Sequence, residues 1–168
     1  MKLKSLIVVL LCIVVCSSCE QPPIEAYAVL PQPQEINYVQ GFVKLKDKPM
    51  VVYSNELSNE ALLLASYLKN DFAVEVTLEE GKDKGDVILL LDSTVLPDKK
   101  GGYVLEAAGS RITIKASTPE GVFNGVQTLR QIIKEREGRL TVQKALVTDY
   151  PAFSWRAFML DEGRYFKG

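Results

Sequence analysis

The residues best equipped for chemistry lie in the closing stretch FSWRAFMLDEGRYFKG, residues 153 to 168. Asp161 and Glu162 are adjacent carboxylates, the residue types that general acid and base catalysis needs. Arg156 and Arg164 carry guanidinium forks whose donors can bridge two vicinal oxygens without losing a proton, or can pair with a nearby carboxylate. Both readings of Arg156 fit its chemistry. Trp155 and Phe153 follow Pro151 and read as aromatics that pack at a seam. The remaining reactive side chains, Cys12, Cys16 and Cys19, all fall within the first nineteen residues, and the chain has no histidine. Without histidine or clustered thiols a zinc site is not expected, and no cofactor is implied.

Lys2 and Lys4 precede an apolar run from Leu6 to Val15, which matches the roughly 7–15 residues of a secretory signal and falls short of the roughly 20 that span a bilayer. CSSC followed by the polar, Pro-rich EQPPIEAYA resembles a bacterial lipoprotein signal. On that reading residues 1–18 are removed, Cys19 is lipidated and 19–28 form a tether. The chain is then exported and held on a bacterial membrane through its lipid. An ordinary cleaved signal is the other reading. Either way, the chain after the signal has no pair of cysteines for a disulfide.

Basic and acidic residues number 20 and 21, with no extended basic run, so nucleic acid is not an expected partner. With 47% apolar and 24% charged residues, the composition is that of a folded domain. At 168 residues the chain holds one ordinary domain and cannot also hold a catalytic barrel of about 250 residues.

Periodicity then supplies the elements that must carry these side chains. EINYVQGFVKL (35–45) alternates around Gly41 like a bent strand pair, MVVYS (50–54) reads as a short strand, and AVEVTLEE (73–80) and DVILLLD (86–92) as two more. GYVLEAA and RITIKAS flank Gly109 and Ser110, which predicts a hairpin from 102 to 117. In NEALLLASYLKNDF a stripe of Leu62, Ala65, Leu68 and Phe72 predicts a helix capped by Ser58 or Asn59. TPEGVFNGVQTLRQIIKE (118–135) predicts a second, with Thr118 as N-cap, Pro119 at its first position and Val122, Val126, Leu129, Ile132 and Ile133 inward. Gly121 and Gly125 either let that helix approach the sheet closely or are merely tolerated near its start. The expected architecture is α+β, a mixed or antiparallel sheet with two helices on one face.

VLPQPQEINYVQGFVKL, TPEGVFNGVQTLRQII and YPAFSWRAFMLDEGRYF, in that order, resemble the N-terminal domain and first barrel strand of family 20 glycoside hydrolases, the β-N-acetylhexosaminidases. The resemblance runs from about Val29 to the end, with Tyr165 where the family usually has histidine. It implies an α+β domain over 29–147 and the start of a truncated (β/α)8 barrel over 148–168. It also implies removal of terminal N-acetylhexosamine from glycans by a substrate-assisted retaining route, with the catalytic Asp-Glu pair on a later barrel strand. Asp161 and Glu162 belong to the first-strand motif and are not that pair. Arg156 is expected to bind the sugar's hydroxyls in the complete enzyme, and Asp161 and Arg164 to support the barrel wall near the site. The 168 residues alone are expected to be inactive. The alternative is a lipid-anchored carbohydrate-binding or accessory module without catalysis, and the oligomeric state stays open.

Overall fold

The computed structural model describes Ile24, residues 26–81 and 83–153, and Trp155, Ala157 and Met159. Eight strands form a single mixed sheet: β1 (Glu35–Lys44), β2 (Met50–Tyr53), β3 (Thr77–Glu80), β4 (Val87–Leu91), β5 (Tyr103–Ala108), β6 (Arg111–Ala116), β7 (Lys134–Arg136) and β8 (Arg139–Asp149). The order is β1-β8-β5-β6-β4-β2-β3, with β7 paired to β8. The pairs β1–β8, β8–β5, β5–β6 and β7–β8 are antiparallel, while β4 is parallel to β6 and β2 to both β4 and β3. Helices α1 (Ser58–Phe72) and α2 (Pro119–Ile132) pack against each other and against the sheet, α1 over β2 and β3, α2 over β4, β5 and β6. This is the α+β architecture expected, with a mixed sheet.

The core lies between helices and sheet. Cross-strand partners Val51, Val87, Ile112, Ala107 and Ala145 form one buried row, and Leu89, Ile114, Leu105 and Val147 the next. The residues between them, such as Thr113, Glu106 and Leu146, point the other way, as the two-residue period of a strand requires. Among the described residues the buried core runs from Val29 to Val147, with Tyr27 packed against it, so this part of the chain brings its own interior.

Several local expectations change. EINYVQGFVK is one strand, not a pair: its register with β8 shifts between Tyr38 and Phe42, and Gly41 takes φ +94° at the irregularity. The amide of Gln143, fully buried in β8, donates to the carbonyls of Val39 (2.5 Å) and Gly41 (2.9 Å), which holds the bulge closed. Helix α1 buries Ala61, Leu64 and Leu68, while Leu62 stands 58% exposed, so the inward stripe is rotated by about one residue from the expected one. A 3-10 turn, Asn55–Leu57, leads into α1, whose N-cap position is Leu57; neither Ser58 nor Asn59 caps it. Helix α2 stops at Ile132, three residues early. Lys134–Arg136 pair with Arg139–Thr141 around a Glu137-Gly138 turn with φ +51° and +71°, and that ladder takes the backbone groups a longer helix would have used.

Candidate functional site

Close approach of α2 to the β5–β6 hairpin creates the main concave feature. A Cβ on Gly121 would lie 2.2 Å from the Gly102 carbonyl oxygen and 2.7 Å from Ala116 Cβ, and one on Gly125 would lie 2.5 Å from Ile114 Cγ2 and 3.1 Å from Tyr103 Cδ2. Both glycines are therefore required by proximity rather than tolerated. Thr118 Oγ1 accepts the Gly121 N–H at 3.3 Å and fixes the start of the helix at this contact. Because Gly125 has no side chain, the Tyr103 ring fits beneath α2, and its hydroxyl reaches Thr128 Oγ1 at 2.5 Å.

At this end of the sheet a groove of about 600 Å³ opens between α2, the incoming segment Leu30–Gln34 and the outgoing segment Asp149–Phe153. Asp149 sits at its floor. One carboxylate oxygen accepts the Gln34 N–H at 3.2 Å, and the other accepts the Tyr103 hydroxyl at 3.5 Å. Either oxygen of the short Tyr103–Thr128 bond can donate, and with the longer Tyr103–Asp149 contact it makes a line of polar contacts from α2 through β5 to the end of β8. Burial pushes the Tyr103 phenol far above its ordinary range, so it stays a donor at any physiological pH. Gln131 pins the incoming segment, accepting the Leu30 N–H at 2.9 Å and donating to the Leu30 carbonyl at 3.0 Å. Asn124 donates to the Gly101 carbonyl at 2.8 Å, and Lys99 stands 4.5 Å from the centre of the Tyr150 ring.

The chemistry available here is hydrogen bonding and shape. Asp149 is the single carboxylate lining the groove, so the described residues place no acid and base pair in it. Among the described residues no group of three His, Cys, Asp or Glu side chains converges as a metal site, and no helix is long and apolar enough to cross a membrane.

Of the residues singled out from sequence, Arg156, Asp161, Arg164 and Cys19 lie outside the described residues, as does Glu162. Phe153 and Trp155, expected to pack, are 75% and 79% exposed, extending from the groove's rim without a partner surface in the described fold. Sequence reasoning passed over Tyr103, Thr128 and Asp149. Tyr103 reads as one more alternating strand residue and Thr128 as a polar break in a helical stripe. The usable signal was Gly125, whose missing side chain implies something large beneath it.

Residues 26–150 match the model of glycosyl hydrolase family 20, domain 2, which is most of the chain and all of the sheet. The chain belongs to glycosyl hydrolase family 20. Within the family it is similar to a β-hexosaminidase of Porphyromonas gingivalis, 31% identical over 147 residues that make up 82% of this chain and 19% of that protein. Among solved structures it is similar to a β-N-acetylhexosaminidase from Bacteroides fragilis (TM-score 0.66, 27% identity, 81% of this chain and 27% of that one). A Vibrio harveyi family 20 exo-β-N-acetylglucosaminidase solved with N-acetylglucosamine shares the fold (TM-score 0.70, 22% identity, 89% of this chain and 24% of that one). The chain thus spans about a fifth to a quarter of the length of these family 20 relatives.

Proposed function

We propose that these residues are the N-terminal part of an exo-β-N-acetylhexosaminidase, and that the α+β domain supports a catalytic barrel rather than performing the chemistry. The observation that carries this is the family 20 domain 2 match over residues 26–150, joined to a groove that holds one carboxylate where glycoside hydrolysis takes two acting groups. In the complete enzyme the 2-acetamido oxygen of the substrate attacks the anomeric carbon, an aspartate orients that acetamido group, and a glutamate protonates the leaving oxygen. Those two carboxylates are assigned to a later barrel strand. The barrel begins after β8, in the residues that run on to 168, where Arg156 binds hydroxyls of the terminal sugar through its donor fork, and Asp161 and Arg164 brace the wall beside it. The substrates are glycans ending in N-acetylhexosamine.

Residues 1–18 are a lipoprotein signal, Cys19 carries the lipid, and the residues from 19 to about 25 tether to a bacterial membrane surface the domain that runs from about Ala26, whose neighbour Tyr27 packs on the core, to Asp149. Mass spectrometry of the N-terminal peptide from exported protein tests this, and an unmodified Cys19 rejects it. The 168 residues alone are proposed to be inactive. Incubating the purified chain with a chromogenic aryl N-acetylglucosaminide checks this: no release above the rate without protein is expected, and measurable turnover overturns the assignment. Sequencing beyond codon 168 tests the parent enzyme. A continuing frame with an Asp-Glu pair supports it, and an in-frame stop followed by unrelated sequence favours the accessory module.

A further inference from the structure

We infer that Asp149 is a positioning residue, fixing the course of the chain as it leaves the sheet after β8. It is the last residue of β8 and pairs with Tyr103 in the final step of the ladder. Its carboxylate is held from two sides, by the Gln34 N–H on the incoming segment and by the Tyr103 hydroxyl from beneath α2. The next residue is gripped as well: Gln34 Nε2 donates to the Tyr150 carbonyl at 3.5 Å, and the Lys99 ammonium lies against the Tyr150 ring. Pro151 follows and restricts the backbone further. Thr128, Tyr103, Asp149 and Gln34 therefore form one hydrogen-bonded line that ties a helix, two strands and both ends of the domain to one point. Thr128 and Tyr103 are buried, so their end of the line is shielded from competing water, while the Gln34–Asp149 end is exposed. Arg156 lies seven residues beyond that point. The role of the line in catalysis rests on the reading of Arg156 as a sugar-binding residue, whereas its role in aiming the chain does not.

Trp155 is the only tryptophan, so its fluorescence reports this segment alone. In the 168-residue chain, Asp149→Ala is expected to raise the amplitude of nanosecond local motion in the Trp155 anisotropy decay by about twofold. Asp149→Asn keeps an acceptor for Gln34 and is expected to recover most of the restraint. Thr118→Ala, which weakens α2 elsewhere, serves as the control and should leave Trp155 unchanged. An Asp149→Ala decay identical to the unsubstituted chain overturns the proposal.

In the enzyme encoded by the frame continuing past residue 168, Asp149→Ala is expected to raise KM about tenfold with kcat within about twofold, since displacing a binding group weakens substrate capture. In an Arg156→Lys background the same substitution should add little to KM, because the two changes act on one contact. Full additivity overturns the catalytic part. An unsubstituted enzyme that hydrolyses nothing rejects the Arg156 reading instead, and the anisotropy result still decides whether Asp149 aims the chain.

Discussion

Single atoms decide the two glycine positions in α2. Ala at 125 would gain helix propensity worth about 1 kcal/mol, but its Cβ meets Ile114 and the Tyr103 ring, where overpacking costs about 1–3 kcal/mol. At 121 the obstacle is a backbone carbonyl, which cannot rotate away. Gly121→Ala is therefore expected to destabilise by about 3 kcal/mol and Gly125→Ala by about 0–2 kcal/mol, compared by urea denaturation. Asp92 is a separate case at the surface. The Thr94 hydroxyl and N–H both donate to its Oδ1, at 2.6 and 2.9 Å, and these bonds hold its carboxyl below the usual carboxylate range. A folded pKa below the unfolded one means the stabilisation is present above the unfolded pKa and fades as pH falls through the folded value. An NMR titration should place the Asp92 midpoint below that of an unstructured aspartate, and Thr94→Ala should return most of the shift.

The two helices end and begin by different means, and their caps make contrasting predictions. Thr118 caps α2 with a side-chain bond, so Thr118→Ala should cost about 1 kcal/mol. Ser58 makes no cap bond, and Ser58→Ala should fall within about 0.5 kcal/mol of neutral in the same thermal melts. At the other end of α1, Ala73 takes the left-handed conformation (φ +57°) while its N–H and that of Val74 return to Lys69 and Leu68. Gly there relieves about 1–2 kcal/mol of backbone strain against about 0.5–1 kcal/mol of added chain entropy. Ala73→Gly should thus raise stability by about 0.5–1 kcal/mol. These cases also show what was legible. The β5–β6 hairpin and the start of α2 could be read because Gly109-Ser110 and Thr118-Pro119 act locally. The rotated face of α1 could not, because the sheet beneath it, distant in sequence, sets it; the early stop of α2 has a local cause, the Glu137-Gly138 turn that pairs β7 with β8, but the apolar stripe running on through Ile133 masked it. The Tyr103–Asp149 contact joins residues 46 apart and left no local pattern.

At the scale of the molecule, the family 20 fold places both ends of its domain at one groove. Leu30–Gln34 and Asp149–Phe153 run side by side there, held by Gln131, Asp149 and Gln34. The candidate site residues in 156–164 were legible only through resemblance, since their chemistry depends on surfaces beyond the described fold. Phe153 and Trp155 stand exposed beyond the groove, an apolar area that the barrel proposed above would cover.

One feature of the sheet bears on how the domain comes into being. The last strand of the described sheet to be made, β8, lies between β1 and β5 and also carries β7. During synthesis β1 waits for more than ninety residues with no neighbour on either side, and the hairpin β5–β6 has an open edge on the β8 side. The nascent chain can assemble its parallel half early, but the antiparallel half closes only when Asp149 has left the ribosome. Until that moment two strand edges are available to other chains.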